Sequence, residues 1–349
     1  MRRYVILVPG VFLSEHAKTA HGVIRYSSDT TVAVVDPDLA GRSVRDVLPR
    51  LGSDAPIVAS VEQALHYAPT SLLVGTAPMG GQLPLQWRAE ISVAIRAGLE
   101  IVSGLHEFLS EDPEFAAEAI EYGAKLVDVR KVPQVPVFSG AAYRVAAPIL
   151  LTVGNNCSVG KMTVSLELVA AAAKRGKNAR FVPTGQTGIM IAGWGISVDR
   201  VISDFAAGAA EQLVLQAAQS NPDLIVVEGQ GAINHAAYAS VTLALLFGAA
   251  PDALLLVCNP LLKSIDPYGT PVLAYSELIR MHEAICAMVK PAKVLGIALN
   301  TGGLSDADAL REIERAKSET GLPADDVVRF GALALYDAIA PGLQKHLSS

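Results

Sequence analysis

LTVGNNCSVGKMTVSLELV, residues 151–169, is the stretch that decides how this chain folds. It opens with a short apolar run, continues as a polar turn bounded by Gly154 and Gly160, and becomes a helical pattern from Lys161. A turn of small residues between strand and helix curls so that successive peptide N–H groups point at one spot, which suits a phosphate. The helix start adds the positive end of its dipole, and Lys161 adds a full charge. Gly154, Asn155, Asn156, Cys157, Ser158, Val159, Gly160, Lys161, Met162 and Thr163 are therefore the expected phosphate-binding residues. Five residues separate the two glycines, against four in the standard Walker A loop. Met162 stands where magnesium-nucleotide enzymes carry a hydroxyl, and a thioether is a poor ligand for a hard cation. Thr163 lies about 100° farther round the helix. The loop is read as a phosphate cradle in which magnesium-assisted γ-phosphoryl transfer is in question. The alternative is that Thr163 takes the hydroxyl's place through a local shift.

Outward from this loop, short aliphatic runs alternate with helical patterns. PILLTVG, NARFVPTG, DLIVVEG, DALLLVC, AKVLGIALN and VVRFGAL read as strands in the second half, and YVILV, TVAVVD, SLLVG, LEIVSG and AKLVDV in the first. Runs buried on both faces, separated by helical patterns such as LQWRAEISVAIRAG and EDPEFAAEAIEYG, predict parallel sheets covered by helices on both sides. The prolines of RKVPQVPVFSGAAYRVAAP favour extended chain and put a linker at about residues 130–147. Two α/β domains are expected, the second built on the phosphate-binding loop.

NPDLIVVEGQGAINH places Glu228 at the carboxyl end of a buried strand, the edge at which open α/β sheets bind ligands. A carboxylate there can hold a metal or act as a general base. Glu228 leads as the catalytic base, Asp204 is second and His235, on the loop after Glu228, is third. Asp204 has a second reading as a helix N-cap. The N–H groups of Gly229 to Gly231 are candidates to stabilise negative charge on a reacting carbonyl. VPTGQTGIMIAGWGISVDR supplies Thr184, Gln186, Thr187 and Asp199 as polar substrate contacts. Nearer the N-terminus, HAKTAHGVIRY brings Lys18, Thr19, His21 and Arg25 into one segment, GTAPMGGQLPLQWR adds Arg88 beside a glycine turn, and SGLHEFL adds His106. Cations beside such turns suit carboxylate or phosphate recognition.

Composition removes other classes. At ~150 residues per domain, 349 residues suggest two domains, and 51% hydrophobic content with 18% charge belongs to a compact protein. A net charge of −6 provides no basic field for nucleic acid or an anionic membrane. The most apolar region, VTLALLFGAAPDALLLVC, is broken by Pro251 and Asp252 and falls short of a membrane span. Cys157, Cys258 and Cys286 are odd in number and lack metal-ligand spacing, so no metal site and a reducing cytoplasm are expected.

AKTAHGVIRY, GLHEFL, GNNCSVGKMT, TGQTGIMIAGWG, SDFAAGAAEQLV and VEGQGAI together resemble the motifs of the DUF1611 family, along nearly the whole chain. The long loop with Val-Gly-Lys also resembles that of dethiobiotin synthetase and its relatives. The resemblance implies an α/β fold with a Rossmann-like parallel sheet over residues 1–138 and a P-loop NTPase-like parallel sheet over residues 139–349. The family includes D-glutamate N-acetyltransferases, which implies transfer of an acetyl group from acetyl-CoA to the amine of a D-glutamate-like amino acid. Coenzyme A carries its phosphates far from its thioester, so a cradle can anchor it without γ-phosphoryl chemistry. Family members share the Lys-Met-Thr order, whereas Asn156 stands where their loops carry Asp. For a dicarboxylic acceptor, Lys18 and Arg25 are the cations expected to meet its carboxylates. A homo-oligomer acting on a small molecule is expected. Two other classes remain: an ATP- and Mg2+-dependent ligase or kinase with Glu228 on the metal, and a non-catalytic nucleotide or CoA sensor.

Overall fold

The structure is a computed structural model and describes residues 1–76 and 81–345. The chain packs as two units, residues 1–132 together with 186–197, and residues 133–185 together with the chain from 198 onward. Among the described residues no helix is long and apolar enough to cross a membrane.

Six parallel strands form the sheet of the first unit: β1 (Arg3–Leu7), β2 (Thr30–Val35), β3 (Ile57–Val58), β4 (Ser71–Val74), β5 (Glu100–Ser103) and β6 (Leu126–Asp128). Their order is β3-β2-β1-β4-β5-β6. Tyr4, Val5, Ile6 and Leu7 are all fully buried, because both faces of the sheet are covered; that is why the run shows no polar alternation. Trp87, Ile91, Ile95 and Phe115 share one core with Val5, Leu72, Val74 and Ile101. The strand order reverses between β1 and β4, which opens a crevice at the carboxyl edge. In dinucleotide-binding sheets an acidic residue after the second strand takes a ribose hydroxyl. Asp36 holds that place here, but its buried carboxylate accepts N–H bonds from Gly10 (3.1 Å), Phe12 (3.2 Å) and Asp38 (3.2 Å). It is consumed by its own turn.

In the second unit, β7 (Ile149–Gly154), β8 (Ala179–Val182), β9 (Leu224–Val227) and β10 (Ala253–Cys258) are followed by a small antiparallel ribbon, β11 (Ser264–Ile265) and β12 (Thr270–Pro271). β13 (Lys293–Leu299) and β14 (Ala324–Asp325) complete a six-stranded parallel sheet in the order β14-β13-β10-β7-β9-β8. The order reverses around β7, so its carboxyl end lies between those of β9 and β10. Leu150, Val226, Leu255, Val257 and Ala298 pack with Leu168 and Leu335 from the flanking helices.

Two sequence expectations are revised locally. VVRFGAL is not a strand: β14 ends at Asp325, and one oxygen of Asp326 accepts the N–H groups of Val328 and Arg329, both at 3.0 Å, which turns the chain. The apolar residues there, Val327 and Ala332, serve packing against the helix Leu333–Lys345. The proline-rich stretch is also more than a spacer. Glu211, buried on the helix Ser203–Ala218, accepts N–H bonds from Ser139 (2.6 Å) and Ala142 (3.1 Å). Gly208 on the same helix admits the Pro136 carbonyl, from which an added Cβ would be only 1.9 Å.

Candidate functional site

β7 delivers Gly154 to the centre of the second sheet's carboxyl edge, where a Cβ would lie 2.8 Å from the Val257 carbonyl oxygen. Ser158 (φ 56°) and Gly160 (φ 110°) both adopt left-handed backbone and curl the loop. No side chain caps the following helix, Lys161–Lys174, so its first-turn N–H groups suit an anion. Lys161 is only 6% exposed, and its Nζ donates to the Asn156 and Gly231 carbonyls, both at 2.8 Å. The ammonium is thus held between the loop and the segment after β9. Asn156 Oδ1 accepts the Cys157 N–H at 2.7 Å, so this amide works inside the turn. Asn155 Nδ2 donates to the Asn259 carbonyl (3.1 Å), and Asn155 Oδ1 accepts the Asn259 N–H (3.2 Å). Cys157, Met162 and Thr163 are partly buried.

The ends of β7 and β9 are locked together. Thr152 Oγ1 accepts the Gly229 N–H at 2.9 Å and lies 3.1 Å from Ser165 Oγ. A Cβ on Gly229 would sit 1.6 Å from the Thr152 carbonyl oxygen, so only glycine fits. Of the three amides considered for charge stabilisation, that of Gly229 is therefore already engaged.

Glu228 is 7% exposed, and its Oε2 accepts N–H bonds from Thr184 (2.9 Å) and Gly185 (3.1 Å). Burial pushes its pKa up to about 7; the two N–H bonds and Lys161 pull it down, while Asp199 raises it. Thr184 Oγ1 donates to the Glu228 carbonyl at 2.8 Å, and Gln230 Nε2 donates to the Thr184 carbonyl at 2.5 Å. His235 is also buried, and its Nδ1 accepts the Ala237 N–H at 3.2 Å. The proton of the neutral ring is then on Nε2, which suits it to donate, and burial lowers its pKa. Asp204 is exposed in the first turn of the helix Ser203–Ala218, whose N-cap is Ile202 rather than Asp204. Asp199 is exposed as well. Of the three acid–base candidates, Glu228 alone is a buried carboxyl at the carboxyl edge.

Most of the remaining expected contacts lie in the first unit. Thr19 and Thr187, 168 positions apart, bring their hydroxyl oxygens within 3.0 Å, and Gln186 Nε2 lies 3.4 Å from Thr19 Oγ1. Thr184 and Asp199 belong to the second unit, so the sequence cluster divides at Gly185–Gln186. Lys18 (exposed) and Arg25 (partly buried) stand two turns apart on one side of the helix Lys18–Tyr26. Arg25 also lies over the Tyr26 ring at 5.1 Å. His21 donates from Nε2 to the Phe12 carbonyl at 2.7 Å. Arg88 is forked on Asp112 (2.7 and 3.0 Å) and reaches Glu114 (2.6 Å), which ties elements of the first unit together. Residues 77–80 of the glycine turn before Arg88 lie outside the described residues. His106 is partly buried, with its N–H on the Gly81 carbonyl at 2.9 Å.

Residues 136–336 match the P-loop domain of DUF1611, a domain of unknown function, and residues 37–132 match its Rossmann-like N-terminal domain. The chain belongs to the DUF1611 family. A family protein from Anabaena variabilis ATCC 29413, known as a crystal structure, superposes with a TM-score of 0.92 at 39% identity, covering 98% of this chain and 100% of that one. A D-glutamate N-acetyltransferase from Tritonibacter scottomollicae is 35% identical over 330 residues, 93% of this chain and 94% of the relative. Another so named, from Pseudoalteromonas sp, is 36% identical over 275 residues, 78% of this chain and 82% of the relative. The Rossmann-like and P-loop parallel sheets expected from the sequence are those of the family.

Sequence reasoning passed over Thr152, Ser165 and Asn259, which brace the cradle from behind and from the side. A threonine inside a fully buried aliphatic strand and an Asn-Pro pair at a strand's carboxyl end were the available signals. The Asn234 side chain is a further case: both its amide nitrogen and its oxygen are buried without a hydrogen-bond partner.

Proposed function

We propose that this protein transfers an acetyl group from acetyl-CoA to the amine of an amino acid, D-glutamate or a close analogue. The observation that carries the proposal is Glu228, a buried carboxyl with a pKa near 7, one strand from an uncapped helix start that suits phosphate. The names of the relatives support the choice of acyl group and acceptor. Gly154 and Gly229 let the β7, β9 and β10 ends pack closely behind the loop, Gly160 takes its left-handed turn, and Lys161 offers a buried ammonium, so these residues fit the phosphates of coenzyme A. When bound, coenzyme A supplies an activated thioester. Lys161 would then meet anionic phosphate oxygens where it now donates to two neutral carbonyls, adding the attraction of opposite charges to the bond. Glu228 accepts the proton that the attacking amine must lose, and a pKa near neutrality suits a base at physiological pH. Two N–H bonds hold Oε2 and fix the carboxylate plane. Lys18 and Arg25 are the cations proposed for the acceptor's carboxylates.

Purified protein incubated with acetyl-CoA and a panel of D- and L-amino acids should release free thiol with D-glutamate. Lys161→Ala should lose most of that activity. Release of ADP from ATP and Mg2+, with no thiol released from acetyl-CoA, would replace the proposal with the ATP-dependent class. CoA binding without turnover of either donor would replace it with a sensor.

A further inference from the structure

A cavity of about 310 Å3 in the second unit adjoins the cradle and has no part in the chemistry above. Asn155, the first loop residue after Gly154, forms its border with the phosphate-binding loop. The paired hydrogen bonds between Asn155 and Asn259 tie that border to the segment after β10. Pro260, Leu262, Val272 and Leu273 give the cavity apolar walls. Its volume lies at the small end of the range for ligand sites, roughly 300–1,000 Å3.

Two cations line it, and they differ in what they can attract. Arg315 is forked on Glu312 (2.8 and 3.0 Å), reaches Glu319 at 3.4 Å and lies 4.8 Å from the centre of the Tyr275 ring. Two carboxylates more than offset its charge, so that wall does not attract a further anion. Lys263 is exposed and makes no ion pair among the described residues. The cavity is therefore an apolar slot with a phosphate cradle on one border and an uncompensated ammonium on its lining.

That charge pattern matches a nucleoside that carries phosphate at two separate positions. Resting on the acetyl-CoA reading above, we infer that this cavity takes the nucleoside of coenzyme A and that Lys263 reads the phosphate on its ribose. The pyrophosphate stays at the Lys161 loop, and the base lies against the apolar walls. Lys263 then selects coenzyme A over ATP, which has no ribose phosphate of this kind.

Calorimetric titration of the full chain with coenzyme A and with 3′-dephospho-coenzyme A tests this. Wild-type protein should bind coenzyme A about tenfold more tightly. Lys263→Ala should bind both ligands alike, at the dephospho level. Ala274→Trp, an exposed position on the cavity lining, should weaken both ligands about tenfold by filling the slot. Equal binding of the two ligands by wild-type protein overturns the inference, and so does a preference that survives in Lys263→Ala. Unchanged affinity in Ala274→Trp removes the nucleoside from the cavity. A protein that fails these tests yet releases thiol from acetyl-CoA leaves the acetyltransferase reading intact.

Discussion

Replacing Glu228 with Gln should make the protein more stable at pH 8 than the wild type, relative to their difference at pH 4.5. The carboxyl is buried, and its pKa rises from the ordinary 4.5 to about 7. Below pH 4.5 it is protonated in both the folded and unfolded chain, and its contribution to stability is fully present. Between pH 4.5 and about 7 the unfolded chain has lost this proton while the folded chain keeps it, so stability falls with pH. Above pH 7 the folded protein holds a buried charge. At ~1.4 kcal/mol per pH unit, the rise from 4.5 to about 7 is worth roughly 3 kcal/mol. Gln does not titrate, and its carbonyl oxygen can accept the Thr184 and Gly185 N–H bonds that now reach Oε2. Differential scanning calorimetry of both proteins at pH 5, 6, 7 and 8 should show the melting difference moving in favour of Gln by several degrees. A difference that stays constant across this range would refute the raised pKa, as would one that moves the other way.

Four further outcomes follow from the same geometry. In wild-type protein, kcat/KM for acetyl transfer should climb with pH through about 7 as Glu228 ionises, and Glu228→Gln should lose about 10²-fold in kcat together with that limb; a variant with the wild-type pH–rate profile moves the base elsewhere. Lys161→Ala should weaken coenzyme A about tenfold or more in calorimetric titration, and undiminished affinity in a folded variant removes the cradle. Glu211→Ala leaves the buried Ala142 N–H without its acceptor and frees the Ser139 N–H, and should cost roughly 1–3 kcal/mol in urea unfolding; a change under ~0.5 kcal/mol means the anchoring of the proline-rich stretch is dispensable. Gly229→Ala drives a Cβ into the Thr152 carbonyl and should destabilise the second unit, so wild-type melting would show that the β7–β9 junction yields easily.

Much of the fold was legible because its strands are buried on both faces. Runs such as YVILV and DALLLVC leave no polar alternation, and Gly154 to Lys161 mark a strand-to-helix turn by residue type alone. The two-residue strand Ile57–Val58 was missed because so short a run carries no periodicity, and the ribbon Ser264–Ile265 with Thr270–Pro271 was missed for the same reason. VVRFGAL misled because apolar content does not separate a strand from a turn whose side chains pack under a helix. Within the site, the position of Glu228 at a strand end could be read, but its burial and its N–H partners depend on Thr184 and Gly185, 44 and 43 residues away. The Thr19–Thr187 pair lay beyond reach as well, since nothing in the hydropathy signals that residues 186–197 return to the first unit. His235 shows the limit of residue type: its candidacy as a base came from being a histidine on the right loop, whereas the Ala237 N–H that reaches its Nδ1 could not be read from the sequence.

The most direct measurement is a mass-spectrometric assay of purified protein with [13C]acetyl-CoA and D-glutamate at pH 7.5, wild type beside Glu228→Gln. N-acetylated D-glutamate carrying the label, formed in equal amount to free coenzyme A and about a hundredfold more slowly in the variant, is the predicted result. Unlabelled glutamate with intact acetyl-CoA in the wild-type reaction would contradict the account.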